Sequence, residues 1–188
     1  YKILESVDVI IICLPTPLKS NKTPDLRYLE ICYKNLLKID LNNKLIILES
    51  TVYPGVTKNF ADKIISKNLD YKVGKNIFFG YSPERENPGD KSFSYQTTPK
   101  VVSGYSNKCL KIMQNVYMII SNKIFNTNTL EEAETSKLLE NLYRSINIGL
   151  VNEMKLICDK LRIDVHKVID TAATKNFGFQ KFIPGPGL

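Results

Sequence analysis

Thr16 in CLPTP, Thr51 in ESTVYPG and the Glu84-Arg85 pair in GYSPERENPGD each stand just after an apolar run. These are residue types that can do chemistry. Threonine hydroxyls can hydrogen-bond a cofactor or hold a water, and a carboxylate beside a guanidinium can act as a base or bind a polar substrate. Thr16 taken singly reads as a turn residue, but three such positions at the ends of successive apolar runs point to a common site. A second set lies further on. Lys137, Asn141 and Arg144 fall at i, i+4 and i+7, so on a helix all three share a face. That stripe is either a solvated polar face or one side of a ligand site. Leu139, Ile148 and Val151 on other sides predict a helix buried nearly all round. There a lysine and an asparagine need partners, and an anionic or hydroxyl-rich ligand is one.

The elements that must position these residues alternate. VDVIIICL (7–14) reads as a fully buried parallel strand, ended by Pro15-Thr16-Pro17. Thr23 is the expected cap of a helix with Pro24 at its first position, running to about residue 39. KLIILE (44–49) is a second buried strand, and Ser50 to Gly55 turns into a helix that reaches about residue 68. NIFFGY (76–81) is a third strand, followed by a loop over 82–99. A short strand (101–104), a helix (108–120) and a last strand (123–126) complete the alternation. Strand and helix in turn predict a parallel sheet with helices on both faces, whose ligand lies beyond the carboxyl ends of the strands. Then comes a long helix from 129 to about 161. Thr129 and Glu132 form a capping box at its start, and Leu138, Leu142, Ile146, Leu150, Met154 and Ile157 make one apolar stripe. A short helix capped by Asp164 and a tail ending PGPGL follow. The expected domains are 1–128, a Rossmann-like domain, and 129–188, an all-α region.

Composition narrows the classes. Of 26 basic residues only four are arginine, and the +7 net charge is spread along the chain without a cluster. A nucleic-acid reader concentrates its charge and favours arginine, so no nucleic-acid partner is expected. The apolar run at 9–14 is far too short to span a bilayer, and no signal or lipidation motif is present. Cys13, Cys32, Cys109 and Cys158 stand singly and His166 is the only histidine; no metal site is expected, and buried free thiols point to the cytoplasm.

CLPTP (13–17), ESTVYPG (49–55), GYSPERENPGD (80–90), the Lys137-Asn141 helix with Asn152-Glu153, and PGPGL (184–188) together resemble the UDP-glucose/GDP-mannose dehydrogenase family, in its order and over essentially the whole chain. The tail AATKNFGFQKFIPGPGL is most similar to the branch acting on UDP-N-acetylglucosamine. The resemblance implies oxidation of the C6 alcohol of a nucleotide sugar to a carboxylate, with NAD as oxidant, for surface polysaccharide synthesis. It implies that Pro15, Thr16 and Thr51 lie against the cofactor. Glu84 would be the general base, directly or through a water held with Thr51. Lys137 and Asn141 would stabilise the oxyanion at C6. Arg85, Arg144, Phe177 and Phe182 would help bind the UDP-sugar, alongside Glu84, Lys137 and Asn141. It further implies a homodimer through the long helix, from about residue 145 to 161 and the short helix after it.

Pro88 stands where UDP-glucose members carry a second glutamate, which turns the expectation away from plain UDP-glucose. The family's nucleophilic cysteine follows PGPGL and its glycine-rich NAD motif precedes the first strand, so the chain reads as an internal fragment, inactive by itself. The alternative reading is a non-catalytic remnant acting at most as a dimerising module.

Overall fold

The computed structural model describes residues 2–85 and 98–187. In chain order these form α1 (Lys2–Glu5), β1 (Val9–Ile12), α2 (Arg27–Leu36), β2 (Lys44–Leu48), α3 (Val56–Ile65), β3 (Ile77–Tyr81), β4 (Lys100–Gly104), α4 (Asn107–Tyr117), β5 (Ile124–Asn126), α5 (Leu130–Leu161) and α6 (Val165–Ala172). Part of the GYSPERENPGD motif, with Pro88, lies outside the described residues. Two compact units divide within α5, Tyr1–Leu138 and Leu139–Leu188.

The first unit is an α/β sheet in the order β1-β2-β3-β4-β5. Its register sets the faces. Ile10 pairs with Ile46 and Ile46 with Phe79, so alternate residues of three parallel strands line one side. That side packs Ile10, Ile46, Leu48, Phe79 and Tyr81 against Leu29 and Leu36 of α2, Phe60 and Ile64 of α3, and Leu130 and Ala133 of α5. The opposite side packs Leu45, Ile47 and Val102 against Met113 and Tyr117 of α4. Each large apolar side chain buried this way contributes about 1.5–3 kcal/mol. Two glycines are required by geometry. Gly55, before α3, has φ +92°, and a Cβ on Gly104 would stand 2.2 Å from the Leu110 backbone nitrogen.

Four expectations are corrected. The sheet is not parallel throughout: β4 runs antiparallel to β3 (Gly80 opposite Gly104), while β4 and β5 are parallel. The strand β1 is at the sheet edge and half open, with Ile11 47% exposed, because α4 covers the sheet further along. The second helix begins at Arg27 rather than Pro24. Thr23 and Pro24 belong to a turn in which Lys19 N donates to the Thr23 carbonyl at 2.8 Å and Asp25 N to that of Pro17 at 2.8 Å, so Thr23 caps nothing. Finally, α5 is not buried all round. Leu139, Leu142, Ile146, Leu150, Met154, Ile157 and Leu161 are all exposed.

The start of α5 follows its local signals. Glu132 N donates to Thr129 Oγ1 at 3.1 Å, and Glu132 Oε2 accepts from Asn128 N at 2.8 Å. In the second unit Val151 and Cys158 of α5 pack on Val165 and Ile169 of α6. Asp164 caps α6 by accepting from His166 N at 2.9 Å. The tail is tied back by Asn152, whose amide oxygen accepts from Gly185 N and whose amide nitrogen donates to the Gly185 carbonyl, both at 2.9 Å.

Candidate active site

Parallel β1, β2 and β3 bring their following loops to one edge of the sheet. Ser50 Oγ accepts from Leu14 N at 2.9 Å, and Thr16 Oγ1 donates to the Thr51 carbonyl at 2.5 Å. Thr16 and Thr51 are thus drawn together, with Pro15 exposed between their strands. This hydroxyl-rich, half-open edge has the donors and acceptors that a nicotinamide and its ribose use, so the chemistry of the residues present fits NAD.

The described ends of the loop after β3 are held by their neighbours. Ser82 Oγ donates to the Val101 carbonyl at 2.7 Å, and Arg85 Nη1 to the Pro99 carbonyl at 2.9 Å, joining the two described ends of the loop. The Lys137 ammonium donates to the main-chain carbonyl of Glu84. Fifty-three residues of sequence separate them, and the fold brings the helix lysine onto the strand-end glutamate. The Glu84 carboxylate is 40% exposed, open enough to meet a substrate.

Behind it lies a group that the sequence does not reveal. The Lys100 ammonium, at the first residue of β4, is only 5% exposed and sits 3.1 Å from Glu49 Oε1 and 4.0 Å from Glu84 Oε2. Tyr117 of α4 donates its hydroxyl to Glu49 Oε1 at 2.5 Å, and its ring lies under the Lys100 ammonium with the centroid 5.3 Å away. Burial, followed by the Glu49 charge, pushes the Tyr117 phenol well above its usual range. Burial and then Glu49 also raise the Cys13 thiol. Cys13 is exposed, against the expectation of a buried thiol, whereas Cys109 and Cys158 are buried. A second buried carboxylate escaped the sequence too. Glu134 Oε1 accepts from Thr57 N at 2.8 Å and Thr57 Oγ1 at 2.6 Å, and Oε2 from Gly55 N at 2.6 Å, so α5 caps the start of α3. Its only sequence signal was an acidic first turn.

The remaining sequence-derived residues belong to the second unit. Asn141 is half-buried and Arg144 exposed. Phe177 is 74% exposed, with the Lys175 ammonium 4.7 Å from its ring centre. Phe182 packs edge-on to Tyr143, centroids 5.7 Å apart, and Tyr143 donates to Gln180 Oε1 at 2.7 Å. Phe182 and Tyr143 line a cavity of 520 Å³ with Asn147, Leu150 and Phe179. A second cavity, of 420 Å³, lies between α2 and α3, lined by Leu29, Tyr33, Val56 and Phe60. It includes none of the candidate site residues, and its walls are mostly apolar.

The NAD binding domain of the UDP-glucose/GDP-mannose dehydrogenase family matches residues 1–121, and the central domain of that family matches residues 131–188. The chain is 38% identical over 183 residues to the protein CapL of Staphylococcus aureus. It is 34% identical over 183 residues to a UDP-N-acetyl-D-glucosamine 6-dehydrogenase of Pseudomonas aeruginosa. Each alignment takes in 97% of the chain and 43% of the relative. A solved UDP-D-ManNAc dehydrogenase from Pyrococcus horikoshii superposes with a TM-score of 0.88 at 30% identity, covering 98% of the chain and 43% of that structure. The chain therefore spans less than half the length of the relatives it matches.

Proposed function

Because the chain belongs to the UDP-glucose/GDP-mannose dehydrogenase family, we propose that the protein containing it is an NAD-dependent nucleotide-sugar 6-dehydrogenase. It oxidises the C6 alcohol of a UDP-sugar, UDP-N-acetylglucosamine first among them, to the uronic acid. The product serves surface polysaccharide synthesis, and the reaction belongs in the cytoplasm. The observation that carries this reading is the Lys137 ammonium seated on the Glu84 main chain at the carboxyl edge of the sheet. The functional division we place at 128/129 falls between the two matched regions.

NAD, when bound, would supply the hydride acceptor, and two NAD per sugar together with one water would account for the four-electron oxidation of the C6 alcohol to the carboxylate. Pro15, Thr16 and Thr51 hold it at the sheet edge. Glu84 takes the hydroxyl proton, directly or through a water shared with Thr51. As negative charge grows on the C6 oxygen, the Lys137 ammonium offsets it, a contribution made chiefly in the transition state. Family resemblance assigns Asn141 to the same oxyanion, and Arg85, Arg144, Phe177 and Phe182 to the UDP-sugar. The exposed stripe on α5 serves a homodimer. Among the described residues no helix is long and apolar enough to cross a membrane.

The test is a panel of nucleotide sugars offered with NAD to the intact protein, following NADH. UDP-N-acetylglucosamine is expected to give the highest kcat/KM, with UDP-N-acetylmannosamine the next to compare, since relatives bear both names. Lys137→Ala is expected to lower kcat by about a hundred- to a thousandfold with KM nearly unchanged. NADH formation from none of the sugars would overturn the assignment. A Lys137→Ala variant altered only in KM would reduce Lys137 to a binding residue.

A further inference from the structure

Glu84 is gripped at two points by two different lysines. Its main-chain carbonyl accepts from Lys137 of α5, while its carboxylate faces Lys100 of β4 at 4.0 Å. Lys100 is the more deeply placed of the two. It is 5% exposed, and its nearer partner Glu49, 3.1 Å away, is 13% exposed. Glu49 is in turn held by the Tyr117 hydroxyl at 2.5 Å and by the Cys13 thiol at 3.6 Å. A buried ammonium without paired carboxylate would cost several kcal/mol, so Glu49 fixes Lys100 where it stands. Among the described residues the charged groups here come from four elements, Glu49 after β2, Glu84 after β3, Lys100 on β4 and Lys137 on α5, beside the neutral phenol of Tyr117 on α4. Cys13 after β1 is likewise neutral.

Resting on the reading of Glu84 as the base, we propose that Lys100 is a positioning residue for the reaction: a buried ammonium, anchored on Glu49, that holds the Glu84 carboxylate in the orientation from which it meets the substrate alcohol. Lys100 does not itself reach the substrate. Its role explains why a lysine is placed at the start of an otherwise apolar strand (KVVSG), where a valine would pack without the desolvation cost. An immobile carboxylate is what general-base catalysis needs, because misplacing a reacting group by about 1 Å can cost about a hundredfold in rate.

The discriminating variant is Lys100→Met combined with Glu49→Gln in the intact protein. The single Lys100→Met change strands the Glu49 charge and can fail to fold, whereas the double change removes both buried charges and restores a balanced interior. With UDP-N-acetylglucosamine and NAD as probes, the double variant is expected to keep its melting temperature and a KM within about threefold, while kcat falls about a hundredfold. Its crystal structure is expected to show the Glu84 carboxylate in more than one rotamer. Unchanged kcat, or a Glu84 side chain that stays in place, overturns the proposal and leaves Lys100 a structural counter-ion to Glu49. Glu84→Gln separates the two questions. If that variant turns over normally, the base assignment fails on its own, and the rotamer of Glu84 in the double variant still decides what Lys100 does.

Discussion

Cys13 follows β1 as an exposed residue, and its thiol donates to Glu49 Oε2 at 3.6 Å. A thiol on a protein surface ordinarily alkylates readily, since reaction follows thiolate content. Here partial burial and then the Glu49 carboxylate raise its pKa, while Lys100 acts the other way. Cys13 is therefore expected to react with iodoacetamide at about pH 8 more slowly than a free cysteine. Glu49→Gln should quicken it, as followed by mass spectrometry of the Cys13 peptide. Equal rates in wild type and Glu49→Gln would mean that the Glu49 charge does not reach the sulfur. The same residues mark the limit of what sequence shows at this scale. Thr16, Thr51, Glu84 and Lys137 could be singled out because type, position after a strand and helical spacing are local properties. The Glu49–Lys100–Tyr117 group could not, because its members lie on three separate elements and meet only when the sheet forms.

At the scale of elements, periodicity located nearly every helix and strand, and the capping box placed the start of α5 to the residue. Strand direction was not legible, since an alternating strand-helix pattern does not say that β4 turns back after the loop. Nor was the bond between α5 and α3. Glu134 closes that contact with three accepted hydrogen bonds, at 2.6, 2.6 and 2.8 Å. Deleting it in Glu134→Ala orphans the amides of Gly55 and Thr57, and is expected to cost about 3 kcal/mol in urea unfolding. The pH dependence has a definite sign. Burial raises the Glu134 pKa above the ordinary 4.5, outweighing the hydrogen bonds from Thr57 and Gly55 that lower it. The folded chain then holds this proton more tightly than the unfolded one. Its contribution to stability is complete below the ordinary value and is lost as pH rises through the raised one. Glu134→Gln has no such titration, so its stability relative to wild type should improve from about pH 4 upward. A constant difference across that range would show that Glu134 titrates normally.

At the scale of the molecule, the second unit is short of core. Its buried apolar cluster is Val151, Cys158, Val165 and Ile169, which use one face of α5. The opposite burden is heavier: Leu139, Leu142, Ile146, Leu150, Met154, Ile157 and Leu161 all stay exposed on a single stripe at three- and four-residue spacing. A helix of 32 residues runs about 48 Å, and a contiguous apolar stripe of that kind marks an association surface. We expect a second copy to cover it, because a two-fold contact would let one stripe serve both partners, each residue meeting its mate or that mate's neighbour. The chain is therefore expected to sediment as a dimer at tens of micromolar. Ile146→Glu sets a charge within the stripe. Losing a central apolar contact there typically costs about 2 kcal/mol or more, a weakening of about thirtyfold or greater in Kd. The variant should shift to monomer with its helical circular dichroism retained at high concentration. Wild-type chain sedimenting as a monomer would remove α5 as the dimer surface. Dimers insensitive to Ile146→Glu would move the contact to α6 or the sheet unit, and the apolar stripe would then need a different partner.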